Sequence, residues 1–515
     1  VRLPVQEHMR ELTRKPDVTQ PITTIVIAGG GTAGWMAAAT FGRFLEHGYR
    51  IRLVESGEIG TVGVGEATIP QIRLFNQALG LDEDAFLRAT GGTFKLGISF
   101  DGWREPGHSY MHAFGDVGRD VGLIVFQHYW LRARTLGTAK PLEAYALNEV
   151  AGRAGRMHRG GPLTAATIPA MPYAFHFDAG LYAAYLRRFA VNRGVERTEA
   201  TIATIERDGQ GGDVAALVLA SGERIEGDLF LDCTGFRGLL IEGALATGYE
   251  DWTHWLPCDS AVAVPSANVG APLPYTRAIA REAGWQWRIP LQHRTGNGHV
   301  YCSAFTDQDA ATDTLLRHIE GEAQAEPRHL RFTTGRRKRA WNRNVVAMGL
   351  ASGFLEPLES TSIHLIQSAV ARLVKLLPSL PIAAAVRDEY NRQTDFEIER
   401  IRDFLILHYW ANGRSEPFWQ ACRAMALPDT LRAKIDLWRE AGTITREHEE
   451  LFTEDGWLQV LAGQGVQARA YHPLADQIGE GDLAEYMETL ELLYRREAHA
   501  MPTHGDYIAQ HCAAK

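Results

Sequence analysis

The fold is decided by residues 23–56, TTIVIAGGGTAGWMAAATFGRFLEHGYRIRLVES. Residues 23–28 are a short apolar run that reads as a buried strand. Glycines follow at once, then an alanine-rich stretch with helical spacing, then a second apolar run, RIRLVES. Strand, helix and strand in this order imply a parallel pair joined by a crossover helix. Gly29, Gly31 and Gly34 match G-x-G-x-x-G. The first glycine makes the tight turn, the second lets backbone approach a pyrophosphate, and the third allows close contact of helix and strand. The helix start, with Thr32 and Ala33, offers unpaired N–H groups and partial positive charge to phosphates. Glu55 closes the second strand about 20 residues on, where an acid holds a ribose hydroxyl. The glycine pattern alone is weak, and its context makes it a dinucleotide site.

Outward from this segment, the 515-residue chain is long enough for two or three structural units. Apolar residues make up 45% and charged residues 22%, the balance of an ordinary globular protein. The net charge of −9 includes no long run of one sign, so neither nucleic acid nor an anionic membrane is expected as a partner. The five cysteines are scattered, form no CxxC pair and read as reduced thiols of a cytosolic protein. No metal site is expected. No apolar stretch reaches the roughly 18 residues of a membrane helix. Residues 1–22 lack the apolar core of a secretion signal and are set aside as an N-terminal extension.

Further along, residues 214–235 read as a hairpin followed by one more strand, DLFLDCTG, which ends at Gly235. FKLGISF, residues 94–100, alternates as one strand, with Lys95, Gly97 and Ser99 on one face. Taken without context, Lys95 is an exposed strand lysine. GWQWRIP, residues 284–290, puts Trp285 and Trp287 on one strand face, with Pro290 ending the ladder. RTGNG, residues 294–298, has the chemistry of a hairpin turn. From residue 361, apolar residues recur at three and four until Pro378, which predicts a helix. Ser360 is its expected N-cap. The expected fold is α/β: an FAD-binding Rossmann-like body of the flavin monooxygenase type, residues 23–390, with an inserted antiparallel sheet. A helical C-terminal region, residues 391–515, completes a substrate pocket. FAD is favoured over NAD because DLFLDCTG and VVAMGLASG add two strand-then-glycine segments that NAD domains do not need. The second of these carries Gly349.

Those residues carry a family resemblance. GGGTAGWMAA, VGVGEATIP, FKLGISF, HYWLRARTLG, GWQWRIP and FLEPLEST occur in this order and spacing in flavin-dependent halogenases of the tryptophan-halogenase type. The resemblance runs from about residue 23 to beyond 460, and within it Gly65 and Ala67 of VGVGEATIP join the flavin site. It implies that FADH2 arrives from a separate NAD(P)H-dependent flavin reductase. Reduced flavin and O2 then turn chloride or bromide into hypohalous acid. The acid passes through a tunnel to an electron-rich, indole-like arene held in a separate pocket.

The resemblance also implies residue roles. Lys95 matches the lysine that receives the hypohalous acid, and Glu359 the glutamate that assists electrophilic substitution. The helix start at Thr361 and Ser362 matches a halide site, although tryptophan-type members usually carry glycine where Ser362 stands. His112, Phe114 and Trp457 match the aromatic borders of the arene. Trp285, Trp287 and Pro290 match a wall that keeps the arene from the flavin. Tryptophan-specific members have a longer C-terminal segment with paired tyrosines and an acid. Here GTITREHEELFTEDGW is shorter and lacks that pair, which favours indole or a larger indolic molecule over free tryptophan. Related enzymes are often homodimers. A flavin-dependent aromatic monooxygenase and a non-catalytic flavin-binding protein are the alternatives.

Overall fold

The apolar run of the opening segment lies inside a six-stranded sheet. Its order is Trp341–Asn342, Val345–Ala347, Leu229–Asp232, Thr24–Ala28, Arg50–Glu55 and Glu196–Glu199. All neighbours pair in parallel except the first two, which are antiparallel. Ile25, Val26, Ile27 and Ala28 are fully buried, as expected of a parallel strand covered on both faces. In this computed structural model, residues 20–45, 47–57, 65–209 and 212–514 are described. The expected extension lies almost wholly outside them, as does the start of VGVGEATIP.

The helix Thr32–Phe44 makes the crossover. Gly29 sits at φ +106°, in the left-handed region, and its N–H donates to Val54 O at 2.8 Å. A Cβ on Gly34 would stand 1.9 Å from Gly29 O. That contact is the close helix–strand approach for which the third glycine is needed.

The inserted sheet has seven strands: Arg328–Arg331, Ser260–Ser266, Thr295–Tyr301, Gly284–Pro290, Thr276–Arg281, Gly97–Asp101 and Ser109–Ala113. It is antiparallel except where Thr276–Arg281 runs parallel to Gly97–Asp101. Trp285 faces Val300 across the ladder and Trp287 faces Gly298. The two indoles share a face, their centroids 6.2 Å apart, and the strand ends at Pro290.

Four expectations need correction. RTGNG is not the turn: the reversal spans Leu291 to Arg294, closed by Leu291 N–H to Arg294 O at 2.9 Å, and the rest of RTGNG belongs to the strand Thr295–Tyr301. Its last glycine serves packing instead, because a Cβ on Gly298 would meet the Trp287 ring at 2.0 Å. FKLGISF is not one strand. It breaks at Leu96, so Thr93–Lys95 pairs with Ala174–Phe177 while Gly97–Asp101 joins the large sheet. The break buries both faces, and Lys95 is 0% exposed. Ser360 is not the N-cap. The helix is Ser362–Lys375, capped in position by Thr361 without a side-chain bond, and Ser360 lies at φ +59°. Finally, the helix Ala384–Trp410 runs unbroken through the division expected at residue 390.

Further helices follow at Pro417–Ala424, Asp429–Ala441, Glu454–Gly463 and Glu480–Ala500. Among the described residues no helix is long and apolar enough to cross a membrane. All five cysteines are free and buried. The two inner glycines of the turn make a contrast to test by chemical denaturation. Gly34→Ala overpacks its site and should lose about 1–3 kcal/mol. Gly31→Ala, with no atom within 4 Å of the new Cβ, should stay within about 0.5 kcal/mol of wild type while weakening dinucleotide binding.

Candidate functional site

A cavity of about 790 Å³ opens along the carboxyl ends of the parallel strands, the usual ligand position in such sheets. Gly29, Gly31, Thr32, Ala33, Glu55, Gly65, Ala67, Gly235 and Gly349 all line it. Gly34 does not, since it packs on Gly29 instead. Space beyond the Cα of Gly31 and of Gly235 is open, so backbone there can meet a ligand closely. These features fit a flavin dinucleotide. Glu55 is held by Trp35 Nε1 at 3.1 Å and Arg197 Nε at 2.5 Å. Gly30, overlooked in the motif, is required by the same acid, because a Cβ there would lie 1.7 Å from Glu55 Oε2. Cys233 also lines the cavity, and burial pushes its thiol well up.

Trp285, Trp287 and Ile289 form part of the cavity wall; Pro290 lies outside it and accepts from Thr93 Oγ1 at 2.7 Å. Trp285 is fixed from behind. Its Nε1 donates to Glu356 Oε2 at 2.9 Å, and Tyr409 OH donates to the same oxygen at 2.5 Å. Burial raises the Glu356 carboxyl to about 7 against the pull of these two donors.

At the far end the cavity meets Pro357, Leu358, Ser360 and Ser362. The turn Pro357–Glu359 ends in the left-handed Ser360. Lys95 Nζ donates to Ser360 Oγ at 2.7 Å and to Thr68 O at 2.9 Å. Burial lowers the Lys95 amine to about 7, and Glu359 partly opposes it. The Phe114 ring centroid is 5.3 Å from Nζ. Lys95 is therefore behind the cavity end and joined to it through Ser360.

Glu359, 1% exposed, accepts from His112 Nδ1 at 2.8 Å. On its other side His408 Nε2 lies 2.7 Å from Oε1, off the line of a hydrogen bond. Burial alone would raise the carboxyl, but His112 and His408 outweigh it and hold the group at about 2. His408 Nδ1 meets Tyr110 OH at 2.9 Å, and its ring stacks on Phe100 with centroids 4.4 Å apart. Thr361 Oγ1 is buried without a partner, and Thr361 is absent from the cavity lining. Trp457 stands edge-on to Phe404 at 4.8 Å. His112, Phe114 and Trp457 do not line the cavity; His112 and Trp457 pack with Phe404 apart from it.

Sequence reasoning did not find His408, Tyr110, Glu356, Phe404 or Thr68. A faint signal exists for His408: it is the lone imidazole in the apolar run FLILHYW. Ser360 was read as a cap when it is a ligand of the lysine.

A dinucleotide cavity with a buried lysine and carboxylate beside its end fits a flavin-dependent enzyme. Comparisons with known proteins agree. The tryptophan halogenase family model matches residues 24–480. The tryptophan 6-halogenase ThaL of Streptomyces albogriseolus is 36% identical, over 90% of this chain and 94% of its own. Among solved structures, a flavin-dependent halogenase from Xanthomonas campestris superposes with TM-score 0.93 at 48% identity, covering 96% of this chain and 99% of its own. The flavin-dependent halogenase BrvH from Brevundimonas sp. BAL3 superposes at 0.91 with 44% identity, covering 95% and 99%. The chain belongs to the tryptophan halogenase family and is a flavin-dependent halogenase, an oxidoreductase.

The lysine makes a pH prediction. Its folded value, about 7, lies below the ordinary 10.5, so between these limits the unfolded chain binds the proton more readily. Stability due to this group rises with pH across that window and is lowest below it. The Tm of wild type relative to Lys95→Met should therefore climb from about pH 7 to about pH 10 in parallel thermal denaturations. A flat difference would mean that the amine is not desolvated.

Proposed function

We propose that this chain takes FADH2 from a separate NAD(P)H-dependent flavin reductase and uses O2 and chloride or bromide to halogenate an indolic arene. Bound reduced flavin with O2 supplies the oxidising equivalent that converts halide to hypohalous acid. The observation that carries the reading is the bond from buried Lys95 to Ser360, the residue by which the lysine reaches the end of the cavity.

The protein's own groups divide the work. The indole wall, clamped by Glu356, denies an arene access to the flavin side. Small species pass toward Ser360. The N-terminus of the helix Ser362–Lys375, with Thr361 and Ser362, offers positive potential to a halide. At the cavity end, Lys95 Nζ holds the hypohalous acid by hydrogen bonding or takes the halogen as a haloamine. An amine lowered to about 7 has both protonation states available near neutrality. Glu359, ionised between two imidazoles, stabilises the cationic arene intermediate and accepts its proton, with His112 as the next proton station.

The names of the curated relatives specify tryptophan. For this chain the short segment 442–457, without paired tyrosines, supports indole or a larger indolic molecule. Its halogenation can be sought directly by incubating indoles with FAD, a flavin reductase, NADH and each halide, and reading products by mass spectrometry. A mass gain of oxygen instead of halogen would replace this reading with the monooxygenase one. Lys95→Ala should abolish arene halogenation while flavin binding persists. If it halogenates indole at the wild-type rate, Lys95 has no such role. Glu359→Gln should slow the arene step by about 10²–10⁴-fold, with hypohalous acid still trapped by an added scavenger dye. Unchanged regiospecific turnover would remove Glu359 from the mechanism.

A further inference from the structure

The arene compartment already contains a ring. Phe452 lies flat on Phe404, centroids 3.9 Å apart and planes 19° from parallel. The His112 ring is 5.9 Å from Phe452 and 5.3 Å from Phe404, and Trp457 closes the group by its edge contact with Phe404. His112 is the residue that binds Glu359 at 2.8 Å. Phe452 is thus a flat arene, one imidazole away from the carboxylate proposed to act on arenes. Aromatic rings of any origin associate by offset stacking or edge-to-face contact, and this pair is stacked.

The ring is carried by a segment without regular secondary structure. Residues 443–452 form neither helix nor strand. The segment starts after Gly442, at φ +62°, which ends the helix Asp429–Ala441. It stops at Thr453, whose Oγ1 caps the helix Glu454–Gly463. Arg446–Glu449 are exposed, and His448 holds a left-handed φ of +51° that a non-glycine residue adopts at a cost. Its deepest polar tie is Glu450, paired to Lys434 Nζ at 3.1 Å. The segment is the same stretch that distinguishes this sequence from tryptophan-specific relatives.

We infer that Phe452 is a specificity-determining residue that occupies the arene seat as a surrogate and must leave when substrate enters. This rests on the proposed reading of the compartment as the arene site. A flat ring can replace Phe452 because it restores the stack on Phe404, whereas an aliphatic molecule restores nothing. A seat that is closed in the free protein lowers apparent affinity by the fraction of time it is open.

The test combines isothermal titration with indole and steady-state halogenation of indole, on wild type, Phe452→Ala, Phe452→Leu and Phe452→Trp. Removing the competing ring in the Ala and Leu variants should lower both Kd and KM by between about twofold and tenfold, with kcat within about twofold. Phe452→Trp should raise both. Leucine keeps the space filled, so loss of folding in the alanine variant does not obscure the result. Unchanged or weaker indole binding in the leucine variant overturns the inference. The titration needs no turnover, so it judges Phe452 even if Lys95→Ala proves the proposed chemistry wrong. A structural role alone would reduce stability and kcat without tightening indole.

Discussion

A lysine amine removed from water is the constraint around which the second compartment is arranged. Burying such a group is expensive unless its hydrogens are used, and here Thr68 O and Ser360 Oγ take two of them. Each partner has a structural requirement of its own. Thr68 donates its hydroxyl to Phe175 O at 2.7 Å and so ties the lysine to the small sheet that carries it. Ser360 reaches Nζ from a left-handed position after the turn Pro357–Glu359. That position brings Glu359 to His112 and starts the next helix two residues later. Turn, carboxylate and helix start are therefore set together, and the lysine has a place only where they coincide.

The tryptophan face of the cavity depends on polar groups as much as on bulk. Trp285 is anchored by Glu356, and Glu356 is shared with Tyr409 from the long helix Ala384–Trp410. The same helix supplies Phe404 and His408 to the other side. One element thus braces the partition and furnishes the room beyond it. The anchored tryptophan and the residues around Glu359 are thereby tied to one helix.

How much of this was legible in the sequence follows the range of the interactions involved. The glycine turn and its flanking strands are local, so residues 23–56 gave the nucleotide body directly, and the strand-then-glycine segments at 235 and 349 joined it as expected. The paired tryptophans of residues 284–290 were read correctly as sharing a face because a strand's period of two is local as well. The failures are non-local. RTGNG carries turn residues, yet its last glycine is there to accommodate an indole from the neighbouring strand. Lys95 looked exposed because alternation assumes one sheet, and the chain changes sheets at Leu96. His408, Tyr110 and Glu356 are separated from their partners by 49 to 298 residues, and no window of sequence displays such a pairing. The family resemblance supplied Lys95 and Glu359; it did not supply the side chains that hold them.

The pairing of Trp287 with Gly298 makes the partition a property of two strands at once. Glycine contributes no side chain, so nothing on the neighbouring strand can fill the gap if the indole is shortened, and the indole has no room if the glycine is enlarged. Change at this point therefore runs one way: the indole can be shortened without a clash, whereas the glycine cannot be enlarged while the indole stays.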